Sequence, residues 1–139
     1  MTIEYEKIKH SKYKYTLLKD VIINLQGYYP NKALIFPNSR IPGYIQITRN
    51  KIITVHKGYA WDGPSGPTID TENFIEASLI HDALYQIIRE KHLLEKYRKI
   101  ADVILYHMCR ELDMNWIRAQ YVYWSLRVFG YKAVENKYE

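Results

Sequence analysis

Cysteine is nearly absent from this chain of 139 residues, because Cys109 is the only one. A single cysteine cannot form an internal disulfide, which excludes the small secreted scaffolds that depend on disulfides. Long apolar runs are missing too, and no stretch reaches the roughly 20 apolar residues that a membrane-spanning helix needs. The first segment, MTIEYEKIKHSKYKY, is charged, so we expect neither a signal peptide nor an anchor there and place the protein in the cytoplasm.

Common catalytic and nucleotide-binding signatures are also missing. The sequence has no phosphate-binding Gly-Lys-Ser/Thr loop, no HExxH zinc motif and no nucleophile elbow, which argues against the enzyme classes that those motifs mark. The net charge is +5, but the basic residues are spread along the chain. The densest groups, Lys7–Lys14 and Arg89–Lys99, are typical of solvated helix faces. We therefore expect no nucleic-acid partner.

The composition is that of one globular domain. Hydrophobic residues make up 47% and charged residues 25% of the chain, which is close to ordinary globular usage. We predict a single domain over 1–139, with a β-rich part over 1–57, a Gly/Pro loop over 58–70, a helical part over 71–132 and a short tail over 133–139 that is frayed over Val134–Glu139. The predicted fold class is α+β, with a small antiparallel β region packed against three C-terminal helices.

Strands are predicted where short runs of branched and aromatic residues are bounded by Gly, Pro or Asn. These runs are Tyr13–Leu18, Val21–Leu25, Ala33–Phe36, Tyr44–Thr48 and Lys51–His56. The last two flank Arg49–Asn50, which predicts a hairpin with a two-residue turn and Asn50 in the left-handed conformation. The next stretch, GYAWDGPSGPTIDT, holds three Gly and two Pro, so we expect no regular structure in it.

Apolar residues at helical spacing predict three helices in the second half. The first begins at Asp70 or Thr71 and ends near Lys91, and the second runs from about Leu94 to Leu112. The third begins near Asn115 and ends at Gly130 as a left-handed terminator. It is apolar or aromatic almost all round, so it is either central in the core or covered by a partner.

The residues best placed for chemistry lie on the first helix, in His81-Asp82-Ala83-Leu84-Tyr85. His81 and Tyr85 are four residues apart and share a face, which the surrounding apolar residues turn inward. An inward imidazole needs hydrogen-bond partners, since leaving it unsatisfied costs about 1–3 kcal/mol. Asp82 is turned about 100° away and can reach the preceding loop. The alternative is that His81 is a core histidine and Asp82 a surface acid.

The loop before this helix supplies candidate ligands for a hard cation. Asp62 lies at its centre, and Gly63 and its neighbours leave backbone oxygens accessible. Calcium prefers carboxylates together with the carbonyls of a bent loop, so Asp62, Asp82 and Gly63 predict a Ca²⁺ site. The pocket between loop and helix would be lined by Tyr59, Trp61 and Ser65.

Asp102 is the second predicted partner of His81. The connection between the first two helices is short, so the second helix returns antiparallel and brings Asp102 toward the level of His81. A carboxylate on the far nitrogen of an imidazole fixes its tautomer and raises its basicity. Because Asp102 lies at the edge of the apolar face, an exposed acid paired with Arg98 or Tyr106 is the alternative.

One resemblance covers most of the chain. The stretch GYAWDGPSGPTIDTENFIEASLIHDALYQ, followed by Ala101-Asp102 and Arg127-Val128-Phe129-Gly130, resembles a family of unknown function that is common in tailed-phage and prophage genomes (domain of unknown function thirteen-fifty-three). The resemblance spans about residues 30–131. It implies a phage or prophage origin, with the protein in the host cytoplasm or on the virion, and it implies no activity.

A second resemblance is local. HDALY is similar to the His-Asp-x-x-Tyr helix of secreted phospholipases A2, which a glycine-rich calcium loop precedes. The resemblance implies that His81 activates water and that Asp82 binds calcium. It also implies that Tyr85 supports Asp102, which orients His81, and that Tyr59–Gly66 forms the ion loop. The disulfides of that family are absent, and the leading β region has no counterpart in it.

Two functional classes stay open. The leading one is a non-enzymatic phage accessory protein with a polar pocket between loop and helix. It would serve assembly, with the aromatic third helix contacting a second copy or a phage or host protein, or host interaction, with a small ligand or a host protein bound in the pocket. The other is a calcium-assisted ester hydrolase with His81, Asp102 and Tyr85 as its catalytic group. That reading leaves peripheral lipid contact open, whereas neither reading includes a membrane span.

Overall fold

A computed structural model of the protein describes residues 3–9, 13–31, 36–63, 71–90, 93 and 95–135, apart from the side chain at position 73. In these ranges the chain forms seven strands in two antiparallel sheets, followed by three α-helices. The predicted α+β class is therefore confirmed. The predicted strand Ala33–Phe36 lies outside the described residues except for Phe36, which belongs to no strand.

The strands have two to four residues each. They are Tyr5–Lys7 (β1), Tyr15–Leu17 (β2), Val21–Asn24 (β3), Ser39–Ile41 (β4), Ile45–Ile47 (β5), Ile52–Val55 (β6) and Ala60–Trp61 (β7). One sheet has the order β1-β2-β7 and the other the order β3-β6-β5-β4. β1 and β4 were not predicted, because their short polar sequences lack the branched and aromatic runs that predicted β2, β3, β5 and β6.

The hairpin between β5 and β6 is present, but its turn differs from the prediction. Lys51, not Asn50, has the positive φ of 63°. Lys51 N bonds Thr48 O and Thr48 N bonds Ile52 O, both at 3.0 Å, so the loop has three residues and ends in a left-handed one. The side chain of Lys51 is buried, and its Nζ donates to the carbonyl of Asn31 at 2.6 Å. This contact favours a left-handed Lys51 over the expected Asn50.

The predicted Gly/Pro loop contains a short strand. Ala60 and Trp61 pair with Thr16 and Tyr15 of β2, so the expectation of no regular structure is wrong for these two residues. Trp61 is fully buried, and its ring centroid lies 5.6 Å from that of Tyr15. Burial of the indole therefore draws this part of the chain into the sheet despite the nearby Gly and Pro.

The three helices lie close to their predicted positions. They are Glu72–Arg89 (α1), Arg98–Glu111 (α2) and Trp116–Phe129 (α3). α2 begins later than predicted because Glu95–Tyr97 forms a separate 3-10 turn. Asn115 caps α3, since its side-chain oxygen accepts a hydrogen bond from Ile117 N at 2.8 Å.

The end of α3 corrects two predictions. Gly130 is not left-handed, because its φ is −71°. Its missing side chain matters for a different reason: a Cβ there would lie 2.8 Å from Tyr85 Oη and 3.0 Å from Arg98 Nη1. The chain then continues as the 3-10 helix Gly130–Val134, and the buried Val134 is not part of a frayed tail.

Both sheets and the helices contribute to one hydrophobic core. Its fully buried side chains include Leu17, Ile47, Ile53 and Trp61 from the strands and Leu79, Leu84 and Ile104 from the helices. α3 contributes little to it, with only Ala119 and Val122 buried. The alternative that α3 is central in the core is therefore wrong.

Candidate active site

Asp102 on α2 is the centre of a polar cluster between the helices. Its side chain is 0% exposed, and its Oδ1 lies 2.8 Å from His81 Nε2. The same oxygen accepts a hydrogen bond from the Tyr85 hydroxyl at 2.5 Å. Oδ2 accepts a hydrogen bond from Arg127 Nη1 at 2.8 Å. The structure thus brings together the three residues named as a catalytic group, and the alternative of an exposed Asp102 is wrong.

Helix geometry explains why His81 and Tyr85 reach the same oxygen. They are four residues apart on α1 and project from successive turns of one face, so their ring centroids lie only 4.0 Å apart. Arg98, one turn before Asp102 on α2, places its Nη1 3.5 Å from the Tyr85 hydroxyl. Rising numbers on α2 therefore meet falling numbers on α1, which is the antiparallel arrangement predicted from the short connection.

Two arginines complete the cluster. Arg98 Nη1 lies 3.7 Å from Asp102 Oδ2 and donates to the carbonyl of Leu126 near the end of α3 at 2.8 Å. The spacing of Arg98 and Asp102 on one helix indicated the first contact. Arg127 was missed as a functional residue, because it comes from α3 and no spacing rule relates it to Asp102. Its only sequence signal is its place in the closing segment of the family resemblance.

The charges in the cluster set the tautomer of His81. Burial alone would raise the pKa of Asp102, but the hydrogen bonds from His81, Tyr85 and Arg127 outweigh it and hold that pKa below its ordinary value. Asp102 is therefore a carboxylate, and Nε2 of His81 donates to it. Burial opposes a charged imidazole, yet the hydrogen bonds to Asp102 and Asp82 prevail and raise the pKa of His81. In neutral His81, Nδ1 is then the proton acceptor.

Asp82 lies beside that acceptor nitrogen. Its Oδ1 is 3.7 Å from His81 Nδ1, and its side chain is 29% exposed. Burial raises the pKa of Asp82, His81 lowers it, and the negative charge of Asp62 raises it further. Asp62 itself is exposed. The two carboxylates predicted as metal ligands are therefore close enough for their charges to interact.

The fit of this region to a cation is partial. Two carboxylates suit a hard cation, but the carbonyl of Tyr59 accepts from Leu17 N at 2.8 Å and that of Trp61 from Lys14 N at 3.1 Å. Sheet pairing thus already uses two carbonyls of the predicted ion loop. In the described ranges no group of three or more His, Cys, Asp or Glu side chains could hold a metal. Further ligands would have to be backbone oxygens, of which Gly63 is the predicted source, or water.

The predicted pocket residues dock the loop onto α1. The Tyr59 hydroxyl donates to Gln86 Oε1 at 2.9 Å, and Trp61 Nε1 donates to Ser78 Oγ at 3.2 Å. Burial, with the charge of Asp82 adding to it, raises the pKa of Tyr59 well above its ordinary value. Both rings are buried, so they act as anchors more than as the lining of an open cavity. The third pocket residue, Ser65, lies outside the described residues.

Cys109 and His107 on α2 also carry groups that could take part in chemistry. Burial raises the pKa of the Cys109 thiol to about 12, which leaves it protonated and unreactive at neutral pH. His107 is exposed on α2. Neither residue contacts the cluster around Asp102.

Among the described residues, none of the helices combines the length and the apolar composition that a bilayer span requires.

Comparisons with known proteins place the chain in a family. No curated protein and no solved structure matches the chain. A family model described as "Protein of unknown function (DUF1353)" matches residues 42–126, which include His81, Asp82, Tyr85 and Asp102. Because the match covers more than half of its length, the chain belongs to this family of unknown function.

Proposed function

We propose that the protein is a hydrolase of ester or similar bonds in which His81 is the general base and Asp102 orients it. The observation that carries the proposal is the shared carboxylate oxygen, which binds His81 Nε2 at 2.8 Å and the Tyr85 hydroxyl at 2.5 Å. This arrangement fixes the neutral tautomer that keeps Nδ1 as a proton acceptor. Orientation of an imidazole by a buried carboxylate is what base catalysis requires.

The proposed reaction begins with a water molecule beside Nδ1 of His81. The water oxygen attacks the carbonyl carbon of the ester, and His81 takes one of its protons while the carbonyl electrons move onto oxygen. When the tetrahedral intermediate collapses, the bond to the alcohol breaks, and the imidazolium returns the proton to the leaving oxygen. Asp102 stays ionised throughout and stabilises the imidazolium, while Tyr85 and Arg127 hold the carboxylate in place.

Asp62 and Asp82 are the residues that would hold a divalent cation, and calcium best suits carboxylate and carbonyl oxygens. Bound there, the cation would stabilise the developing oxyanion. The raised pKa of Asp82 supports such a site, because burial and the neighbouring charge of Asp62 both disfavour its ionised form. A positive charge between the two groups would relieve that repulsion.

The direct test is hydrolysis of a nitrophenyl ester and of a glycerophospholipid by the wild type and by His81→Gln. Loss of the base should lower turnover about 100-fold or more, while circular dichroism shows the fold retained. The matched control is His107→Gln, because His107 is exposed and outside the cluster, and it should keep full activity. Equal turnover in the wild type and in folded His81→Gln would exclude this mechanism.

The cation is tested separately by thermal melting in the presence of calcium, magnesium, manganese or zinc. Binding to the native state raises the melting temperature by mass action. We expect a rise with calcium that disappears in Asp82→Asn and persists in Asp113→Asn, whose carboxylate is exposed and lies elsewhere. No rise with any ion would remove the cation from the proposal and leave the role of His81 to be decided by the turnover measurement.

A non-enzymatic accessory function is the second candidate. The observation that favours it is that the cluster joins all three helices, through His81 on α1, Asp102 on α2 and Arg127 on α3, and that His81 is buried. The network would then lock a scaffold used in assembly or host interaction. In that case His81→Gln lowers the melting temperature, and neither ester is hydrolysed by the wild type.

The phage or prophage origin remains part of this proposal. It is supported by the resemblance of the loop and of HDALYQ to a family common in such genomes. The protein would then act in the host cytoplasm or on the virion. Mass spectrometry of purified virions from a strain that encodes the chain tests the second location, and its absence from virions with presence in infected cells would support the first.

A further inference from the structure

The exposed face of α3 carries the largest group of solvent-facing apolar side chains in the described part of the chain. Four of its residues have a spacing of four, three and four: Ile117, Tyr121, Trp124 and Val128. Trp116 and Phe129 flank them at the two ends of the helix. All six are between 54% and 72% exposed. Monomeric proteins rarely leave a contiguous apolar surface of this kind uncovered.

The spacing itself indicates what covers this face. A four-three-four repeat keeps apolar side chains in a narrow stripe along one side of a helix, which is the pattern of a seam between two helices. A helix face that packs on a globular core is wider than this stripe. On α3 the side that packs on its own domain is the one that carries Ala119 and Val122. The stripe therefore suits a partner helix.

The charges on α3 favour a second copy of the same helix. Its only charged residues are Arg118 and Arg127, and both bind groups of their own domain. Arg118 Nη1 lies 3.2 Å from Thr71 Oγ1, with the guanidinium over the Phe74 ring, and Arg127 binds Asp102. The seam is thus uncharged and can face itself without repulsion. A helix that lies on anionic lipid instead directs Lys and Arg outward beside its apolar face.

The area also suits a dimer. An aromatic side chain buries about 150–250 Å² in full, so the exposed fractions of Tyr121 and Trp124 correspond to about 100–150 Å² each. With Ile117 and Val128 the stripe offers up to about 500 Å² per copy, or about 1,000 Å² for two copies, which reaches the lower limit of a specific interface. Trp116 and Phe129 lie about 100° to either side of the stripe and outside this area.

We propose that the protein forms a two-fold homodimer through α3, with the two helices antiparallel and the symmetry axis between Tyr121 and Trp124. Tyr121 of each chain then packs against Trp124 of the partner subunit, and Ile117 packs near Val128 of the partner subunit. This interface is isologous, so it closes on two copies and leaves no apolar stripe exposed. The proposal stands independently of the hydrolase and of the cation.

Sedimentation velocity of the full chain, from low to high micromolar concentration, tests the proposal. The wild type should be a dimer, and Ile117→Glu and Trp124→Glu should each weaken the dimer about 30-fold or more, as expected for central interface residues. Ile22→Glu is the matched control, because Ile22 is 69% exposed on β3 and Ile117 is 70% exposed. This control should leave the dimer unchanged. Circular dichroism checks that each variant is folded.

The position of the axis is tested by crosslinking. A short bis-maleimide should join two chains of Tyr121→Cys, whereas Ile22→Cys should stay uncoupled, and buried Cys109 should not react. A wild type that is monomeric at high concentration would overturn the proposal, as would a dimer unaffected by both glutamate variants. A monomer that co-sediments with phosphatidylglycerol vesicles through the same residues would assign the face to lipid instead.

Discussion

The guanidinium of Arg127 lies 2.8 Å from Oδ2 of Asp102, so the third helix holds the carboxylate that orients His81. The side chain of Arg127 is 24% exposed while that of Asp102 is 0% exposed. The carboxylate of Asp102 is therefore removed from water, whereas the guanidinium that neutralises it lies at the edge of solvent. This contact makes the geometry around His81 depend on the docking of α3 as well as on the pairing of α1 with α2.

Loss of the charge on Asp102 should destabilise the protein. Asp102→Asn removes the negative partner of Arg127 and weakens the hydrogen-bond acceptor to which His81 and Tyr85 donate. Breaking a buried ion pair by removing one partner typically costs about 3–5 kcal/mol. We expect a decrease of about 3 kcal/mol in the free energy of unfolding, measured by urea denaturation. Asp113→Asn, at an exposed turn, should change it by less than about 0.5 kcal/mol. Similar unfolding midpoints for the two variants would contradict a central role of Asp102.

Stability should pass through a maximum in weakly acidic solution. The pKa of His81 is raised on folding, so its contribution is complete below its unfolded pKa of about 6.5 and is lost as pH rises through the folded value. The pKa of Asp102 is lowered on folding, so its contribution is present above about 4 and is lost as pH falls through the folded value. As pH rises above the unfolded pKa of His81, the melting temperature of the wild type should fall, and that of His81→Gln should fall less.

In the pH range where stability falls on the alkaline side, the proposed hydrolytic activity should rise. A general base works in its deprotonated form, and the raised pKa of His81 keeps it protonated at pH values where a free imidazole is already neutral. The kcat/KM for a neutral ester should therefore rise with pH to a plateau, with a midpoint above about 6.5. A midpoint below that value would indicate that the pair of His81 with Asp102 is not maintained in the substrate-free protein.

The sequence predicted that Asp102 lies close to His81, but it did not predict that Arg127 binds Asp102. Helical spacing and one short connection suffice to bring α1 and α2 residues to the same level. The contact of Arg127 with Asp102 joins residues 25 apart in the chain and depends on how α3 crosses the other helices. Apolar spacing does not determine that crossing, because the exposed side of α3 is as apolar as the buried one.

Local rules failed in the β half where tertiary contacts outweighed them. The turn after β5 placed Lys51 in the left-handed conformation because its ammonium group is held by a backbone carbonyl 20 residues away. β7 formed within a Gly-rich stretch because Trp61 is buried against Tyr15. Neither contact is visible in a window of neighbouring residues. Strands with regular apolar alternation, such as β5 and β6, needed no such information.

Gly130→Ala should destabilise the protein although the backbone tolerates alanine. The φ of −71° is favourable for any residue, and loss of glycine flexibility alone would stabilise by about 0.4–1 kcal/mol. The new Cβ, however, would lie 2.8 Å from Tyr85 Oη, and such overpacking costs about 1–3 kcal/mol. We expect a net loss of about 1 kcal/mol in urea denaturation. Gly27→Ala is the control, since no atom lies within 4 Å of its added Cβ, and it should be neutral or slightly stabilising.

The close contact at Gly130 should be relieved by removing the hydroxyl of Tyr85. Tyr85→Phe alone should cost about 1.5–3 kcal/mol, because the hydroxyl donates to the ionised Asp102. In the Tyr85→Phe background, however, the nearest atom to the methyl group of Gly130→Ala is Arg98 Nη1 at 3.0 Å, at the end of a longer and more adaptable side chain, and the ring carbon Cε2 of residue 85 at 3.5 Å makes an ordinary van der Waals contact. The two substitutions should therefore couple by about 1 kcal/mol in a double-mutant cycle of unfolding free energies, with the double variant more stable than additivity predicts. Additive free energies would mean that Gly130 is required for a reason other than its approach to Tyr85.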